Sequence, residues 1–193
     1  MKAICYTACL IVVMFFGSCT KAGLYEQNAK TLDSLSGAVS SIAKELANVD
    51  TIVLQKSIMR FDWYKQFIQQ NINDTISKEE ADNLQQFYAS GKSLENFSLN
   101  RKMILERAAL INAQLARLNA DVKNRSLTVE QLSRYSLNEK NAAAKLIELG
   151  YQQQNSYHSG LQEFKNSLKG VELLIRSRNK GELPTIIKDT VSL

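Results

Sequence analysis

Apolar residues along most of the chain recur at alternating intervals of three and four. Leu32, Leu35, Val39, Ile42, Leu46, Val49 and Val53 form one unbroken run of this kind, the mark of a heptad seam on an α-helix. The pattern resumes one residue over at Leu54, Ile58, Phe61, Ile68 and Ile72, with Lys65 between Phe61 and Ile68. No proline interrupts it, so the spacing predicts one long helix over 25–72. The Asn-, Asp- and Thr-rich stretch from Asn71 to Ser77 predicts a helix–helix turn. Ser77-Lys78-Glu79-Glu80 has the form of a capping box. It opens a second helix over 78–124, with a seam through Phe87, Leu94, Phe97, Arg101, Ile104, Ala108, Ile111, Leu115, Leu118 and Val122. Thr128-Val129-Glu130-Gln131 is a second capping box, and a third helix follows over 129–179. Its seam runs through Leu132, Tyr135, Ala142, Leu146 and Leu149, shifts phase past Gly150, and returns at Tyr157, Leu161, Phe164, Leu168, Val171 and Ile175. Gly181 and then Pro184 end it, as a C-cap glycine followed by a proline does.

Three stretches of nearly equal length joined by short turns predict an all-α fold. The expected architecture is an elongated, coiled-coil-like antiparallel three-helix bundle, up-down-up, over 25–180. Each helix would be roughly 70 Å long at 1.5 Å per residue. The phase shifts near Asp50 to Leu54 and around Gln152 to Gln154 fall at the same height as the polar seam residue Arg101, counting from either turn. Shifts of this kind are stutters that locally unwind a coiled coil. They suggest a polar waist in which Arg101 faces Asp50 or Glu148; the alternative is an arginine that snorkels from the seam edge.

The composition agrees with a helical domain. Of 193 residues, 45% are hydrophobic and 22% charged, with 8 Gly and 1 Pro, too apolar for a disordered chain and too poor in turn residues for a β-sandwich or a collagen-like repeat.

The N-terminus sets an expected compartment. Lys2 precedes a nearly unbroken apolar run from Ala8 to Phe16. That run falls short of the roughly 20 residues a membrane span needs and has the proportions of a signal-peptide core. Phe16-Gly17-Ser18-Cys19 resembles the lipobox of bacterial lipoproteins, with Phe16 where leucine is usual, and Ser18-Cys19-Thr20 is similar to lipoproteins of the Bacteroidota. The resemblance covers about a tenth of the chain and concerns targeting only. It implies cleavage by signal peptidase II after residue 18, lipidation of Cys19 with palmitate-like acyl chains, and a lipidated tether over 19–24. A transmembrane anchor and an ordinary secretory cleavage site are the competing readings. Cys5 and Cys9 would leave with the signal, so Cys19 would be the one remaining cysteine of 3, with no internal disulfide. Several acyl chains exceed what stable anchoring requires. Thr20 to Gly23 contain no acidic residue, which points to the outer membrane, facing the periplasm. Loss of Lys2 lowers the formal net charge of +5 by one.

Candidate chemistry is sparse. His158 is the only histidine, so neither the usual zinc sets nor a triad is readily assembled, and Ser156 and Ser159 read as helix decoration. There is no G-x-G-x-x-G, P-loop or H-E-x-x-H pattern, and Glu79 and Glu80 sit where a helix N-terminus favours carboxylates. No catalytic residue, metal or cofactor is expected, and the protein is read as a non-enzyme. Arg101, Lys102, Arg107, Arg117, Lys123 and Arg125 face only Glu106 and Asp121 over that segment; they fit either anionic lipid headgroups or an ordinary solvated face. Nucleic acid is not a partner suited to this compartment. Phe61, Trp63, Tyr64 and Phe67 cluster near the first turn; Phe61 is on the seam, but Trp63 and Phe67 fall off it, and these either widen the core or form an exposed patch.

Asp33-Ser34-Leu35, Asp50-Thr51-Ile52, Asp74-Thr75-Ile76 and Asp189-Thr190-Val191 are similar to the O-glycosylation acceptor pattern of exported Bacteroidota proteins. Thr75 in the turn and Thr190 in the tail over 181–193 are the candidate acceptors. Asp before Ser or Thr is also turn and N-cap chemistry. The resulting expectation is a non-catalytic helical spacer or adaptor, tethered to the membrane through its N-terminal lipid and binding a protein partner in the cell envelope. The alternative is a carrier of a lipid or small apolar ligand, for which an enclosed pocket would be the sign.

Overall fold

The computed structural model describes residues 2–184, with side chains from Ala22 onward. Four α-helices make up these residues: α1 Lys2–Ala47, α2 Thr51–Asn71, α3 Lys78–Lys123 and α4 Val129–Arg178. The all-α class holds, but the count of three does not. α3 and α4 lie within a residue of their expected limits, whereas the helix expected over 25–72 is broken at 48–50.

The reason is local. Asp50 takes an extended backbone (φ −65°, ψ 96°), and its carboxylate accepts hydrogen bonds from the amides of Ile52 at 3.0 Å and Val53 at 2.9 Å. That is an N-cap, which satisfies two of the four orphan donors of a new helix. The one-residue shift of the apolar pattern is therefore a helix restart and not a stutter. A seam continued through Val49 and Val53 leaves both only half-buried; the restart instead buries Leu54, 3% exposed, together with Phe61 and Ile68.

The two capping boxes form as their sequences predict. Ser77 N–H donates to the Glu80 carboxylate at 2.7 Å, and Glu80 N–H to the Ser77 hydroxyl at 3.2 Å. Thr128 N–H donates to the Gln131 side-chain oxygen at 2.9 Å, and Gln131 N–H to the Thr128 hydroxyl at 3.2 Å. The far ends of α3 and α4 close through left-handed residues. Arg125 (φ 52°) lets Ser126 N–H reach the Asp121 carbonyl, while Lys180 (φ 51°) and Gly181 (φ 86°) let Gly181 N–H reach that of Arg176. Both follow the Schellman pattern.

The chain forms two compact units. Unit 1 comprises Met1–Glu45 and Ile104–Gly150, and unit 2 comprises Leu46–Met103 and Tyr151–Leu193. In unit 1, Leu32, Val39 and Ile42 of α1 share the core with Ile104, Ile111, Leu115 and Val122 of α3 and with Leu132, Ala143 and Leu146 of α4. The α1–α3 face also carries polar contacts. Asn112 is bonded to Ser36 at 3.1 Å and Ser40 at 3.0 Å, and Asp33 accepts from Asn119 and pairs with Lys123 at 3.5 Å. Tyr25 donates to the Leu127 carbonyl at 2.6 Å, fixing the α3–α4 turn onto α1.

The seam of α4 differs from its expected course. Buried positions step by four and three through Ala143, Leu146, Gly150, Tyr157, Gly160, Phe164, Ser167 and Val171, with half-buried Gln153 between Gly150 and Tyr157. There is no phase shift around Gln152 to Gln154; glycine and serine occupy seam positions, and at the glycines the neighbouring helix comes close. A Cβ on Gly150 would lie 2.3 Å from Ile42 Cγ1. Gly37 of α1 is the opposite case, exposed and with nothing within 4 Å of an added Cβ. Gly37→Ala is expected to raise stability by about 0.5–1 kcal/mol through backbone entropy alone, measured by chemical denaturation; a destabilised variant would refute the open setting.

Unit 2 is built on aromatic packing. The Phe87 ring lies 5.3 Å from Phe61, 6.5 Å from Tyr64 and 5.5 Å from Phe164, and Phe97 stacks on Tyr157 at 4.7 Å. Gly91 makes room for Phe61, since a Cβ there would lie 2.1 Å from the ring. The off-seam pair Trp63 and Phe67 falls between the two expectations. Phe61 and Tyr64 are buried in the core, while Trp63 and Phe67 are half-buried and stack on each other at 6.3 Å.

Candidate functional site

The lipidation candidate Cys19 and the segment before it lie outside the residues whose side chains are described, as does Thr190 with residues 185–193. Among the described residues no helix is long and apolar enough to cross a membrane. Of the Asp-Ser/Thr pairs that are described, Asp33-Ser34 is inside α1 and Asp50 caps α2. Asp74-Thr75 is different. It occupies the turn between α2 and α3, with Thr75 exposed and Asp74 3.6 Å from the Arg178 guanidinium.

Arg101 is half-buried, and it addresses backbone. Its Nε donates to the Leu46 carbonyl at 2.7 Å and its Nη2 to that of Ala47 at 3.0 Å, two of the orphan acceptors at the end of α1. Asp50 serves the amides at the start of α2. The acid and the base expected at a polar waist thus close the two ends of one helix break. Glu148 is exposed on α4 within unit 1.

The basic segment is similarly sorted. Besides Arg101, Lys123 is paired with Asp33; Lys102, Arg107, Arg117 and Arg125 are exposed and in no ion pair among the described residues. His158 is exposed, its ring 5.3 Å from that of Tyr157, and the Ser159 hydroxyl donates to the Asn155 carbonyl at 3.0 Å. No group of three His, Cys, Asp or Glu among the described residues could hold a metal ion.

A polar contact in unit 2 joins α2 to α4. The Tyr64 hydroxyl donates to Glu172 at 2.9 Å, and burial, reinforced by that carboxylate, pushes its pKa up to about 12. Asp62 is also raised, by burial first and then by the neighbouring Glu95. For Tyr64 the sign is definite. The unfolded phenol ionises near pH 10 and the folded one about two units higher, so its contribution is complete below pH 10 and is lost as the pH rises through 12. Tyr64→Phe is expected to flatten the alkaline fall in stability over that window, followed by denaturation at each pH; an unchanged slope would refute the assignment.

The surface feature with the most definite shape is a groove of about 380 Å³ between α3 and α4 in unit 1. Its floor is Ile111 and Leu146, and its walls include Leu110, Leu149, Arg107 and Lys145. Two further grooves in the unit, of about 370 and 260 Å³, have more polar walls, with Asn28, Ser133 and Ser136 in one and Asp33 and Asn119 in the other. All three open along the surface, so they can hold a side chain or a ridge of side chains but do not enclose a ligand. The α3–α4 groove was missed by sequence reasoning, although the run Ala142-Ala143-Ala144 carries its signal. Ala143 is buried, whereas Ala142 is half-buried and lines the groove together with Leu110. No protein-family model, curated protein or solved structure matches this chain.

Proposed function

We propose that the protein is a lipoprotein of the cell envelope, anchored through Cys19 to the outer membrane and facing the periplasm, which acts as a non-catalytic helical spacer or adaptor for another protein. The lipobox-like Gly17-Ser18-Cys19 supports the anchor. The observation that carries the adaptor role is the open form of the grooves in unit 1. A carrier would shield an apolar ligand on most sides, whereas open grooves between helices suit docking of a protein segment.

The test is crosslinking and affinity purification of the native lipidated protein. A discrete protein partner supports the adaptor; a stoichiometric lipid in the purified material, without a protein, would overturn it in favour of the carrier. Cys19→Ser is expected to move the protein out of the membrane fraction and abolish palmitate labelling, and retention of both would refute lipidation. O-glycosylation at Thr75 and Thr190 belongs to the same proposal. An intact mass equal to that of the lipidated polypeptide alone would exclude it.

A further inference from the structure

We infer that the α3–α4 groove of unit 1 seats an α-helix of the partner, an amphipathic segment with an apolar ridge flanked by carboxylates. This rests on the adaptor reading and names its docking site. The groove follows residues 107–114 of α3 and 142–149 of α4, about 10 Å along each helix at 1.5 Å per residue. That length matches two turns of a docking helix, whose apolar residues at i, i+3 or i+4, and i+7 form the ridge.

The steric relief is of the kind helix packing uses. Ile111 and Leu146, 5% and 3% exposed, are already covered by their own unit and give a firm apolar floor. Leu110 is 65% exposed, a large apolar side chain with no function in the core. The small Ala142 lies across the groove from it. A projecting leucine beside a recess offers a knob and a hole to an incoming helix. An acyl chain would fill the recess but leave its outer side in water along the open groove, whereas a helix covers the floor and turns its own polar face outward.

Charge selects among helices. Arg107 stands on the α3 wall and Lys145 on the α4 wall, and neither is in an ion pair among the described residues, while Lys123 on α3 is held by Asp33. A cation on each rim faces the two flanks of a helix seated between them, as e and g positions do in a coiled coil. Carboxylates there would be attracted, and lysines or arginines repelled.

The experiment uses the full-length lipidated protein in its native cells, with the photoreactive residue p-benzoylphenylalanine replacing Leu110, or replacing Leu137 on the α1–α4 groove as a control site. From position 110 the expected product is one protein, crosslinked within a peptide whose apolar residues recur at three and four and are flanked by Asp or Glu. The Leu137 probe should give little of it. Arg107→Glu combined with Lys145→Glu should cut the yield about tenfold without altering the helical circular dichroism or the melting temperature, since both side chains sit on the groove rim. Crosslinks from position 110 to lipid, to a second copy of this chain or to a segment without carboxylates would overturn the inference, as would full yield from the charge-reversed variant. A partner captured only through position 137, or recovered by purification with no crosslink from position 110, would overturn this docking site and leave the adaptor standing. Failure to recover any protein partner by either route would overturn both.

Discussion

Gly91→Val is expected to destabilise unit 2 by about 3 kcal/mol, the upper part of the range for overpacking a well-filled core. A Cβ at position 91 would lie 2.1 Å from Phe61 Cδ2 and 2.4 Å from Cγ. The second distance decides the matter. Cγ is the first ring atom, so the ring cannot swing clear by a small rotation of its far edge; the whole side chain must leave its place. That place is among Phe87 at 5.3 Å and Tyr88 at 6.2 Å, in a fully buried position. The melting temperature should fall by about 6–12 °C, at 2–4 °C per kcal/mol for a chain of this size. Gly91→Ala, which recovers about 1 kcal/mol of helix propensity, should fall less, and Phe61→Leu should be destabilising by itself through the space it leaves. Combined, Gly91→Ala and Phe61→Leu should cost less than their sum, because they meet at one contact. A Gly91→Val protein that melts within about 2 °C of the parent would show that the helices do not approach this closely. The contrast with Gly37 is instructive, since there the added methyl meets nothing and the sign reverses.

Arg101→Met should cost about 1.5–3 kcal/mol, the range for hydrogen bonds to a charged group. The substitution keeps the aliphatic stem and removes the donors that satisfy the Leu46 and Ala47 carbonyls. Arg101→Lys should recover only part of the loss, since an ammonium lacks the rigid fork that spans two acceptors. Asp50→Ala should cost about 1 kcal/mol as an N-cap loss. Denaturant midpoints at constant slope would measure all three. Stability of Arg101→Met within about 0.5 kcal/mol of the parent would mean that water serves those carbonyls equally well. Together these variants ask whether the break at 48–50 is held from both sides.

The break also shows what a sequence can and cannot convey. Its position was visible, because the apolar pattern slips by one residue between Val53 and Leu54 and Asp50-Thr51 has cap chemistry. Its nature was not visible, because a stutter and a restart produce the same slip. The side chain that closes the end of α1 is 54 residues from Ala47, and nothing near Ala47 announces it. Arg101 stands out in sequence as a polar residue in an apolar seam, but its acceptors do not, because helix-end carbonyls carry partial negative charge without any acidic residue.

What the sequence determined by itself was everything set by neighbours along the chain. The helical period, the two capping boxes at Ser77 and Thr128, the limits of α3 and α4 and nearly every core position of α3 follow from interactions within four or five residues, for which order in sequence is order in space. Tertiary structure alone decided the rest. Gly150 and Gly160 became seam positions because a neighbouring helix approaches too closely for larger side chains. Tyr64, one residue before the expected seam position Lys65, joined Phe61 in the core. Leu110, one residue off the α3 seam, borders a groove with Ala142 and a cation on either wall because of how α4 lies beside α3 there. Whether an apolar side chain fills a core or borders a groove depends on which helix lies opposite it, and that is settled by packing between segments distant along the chain.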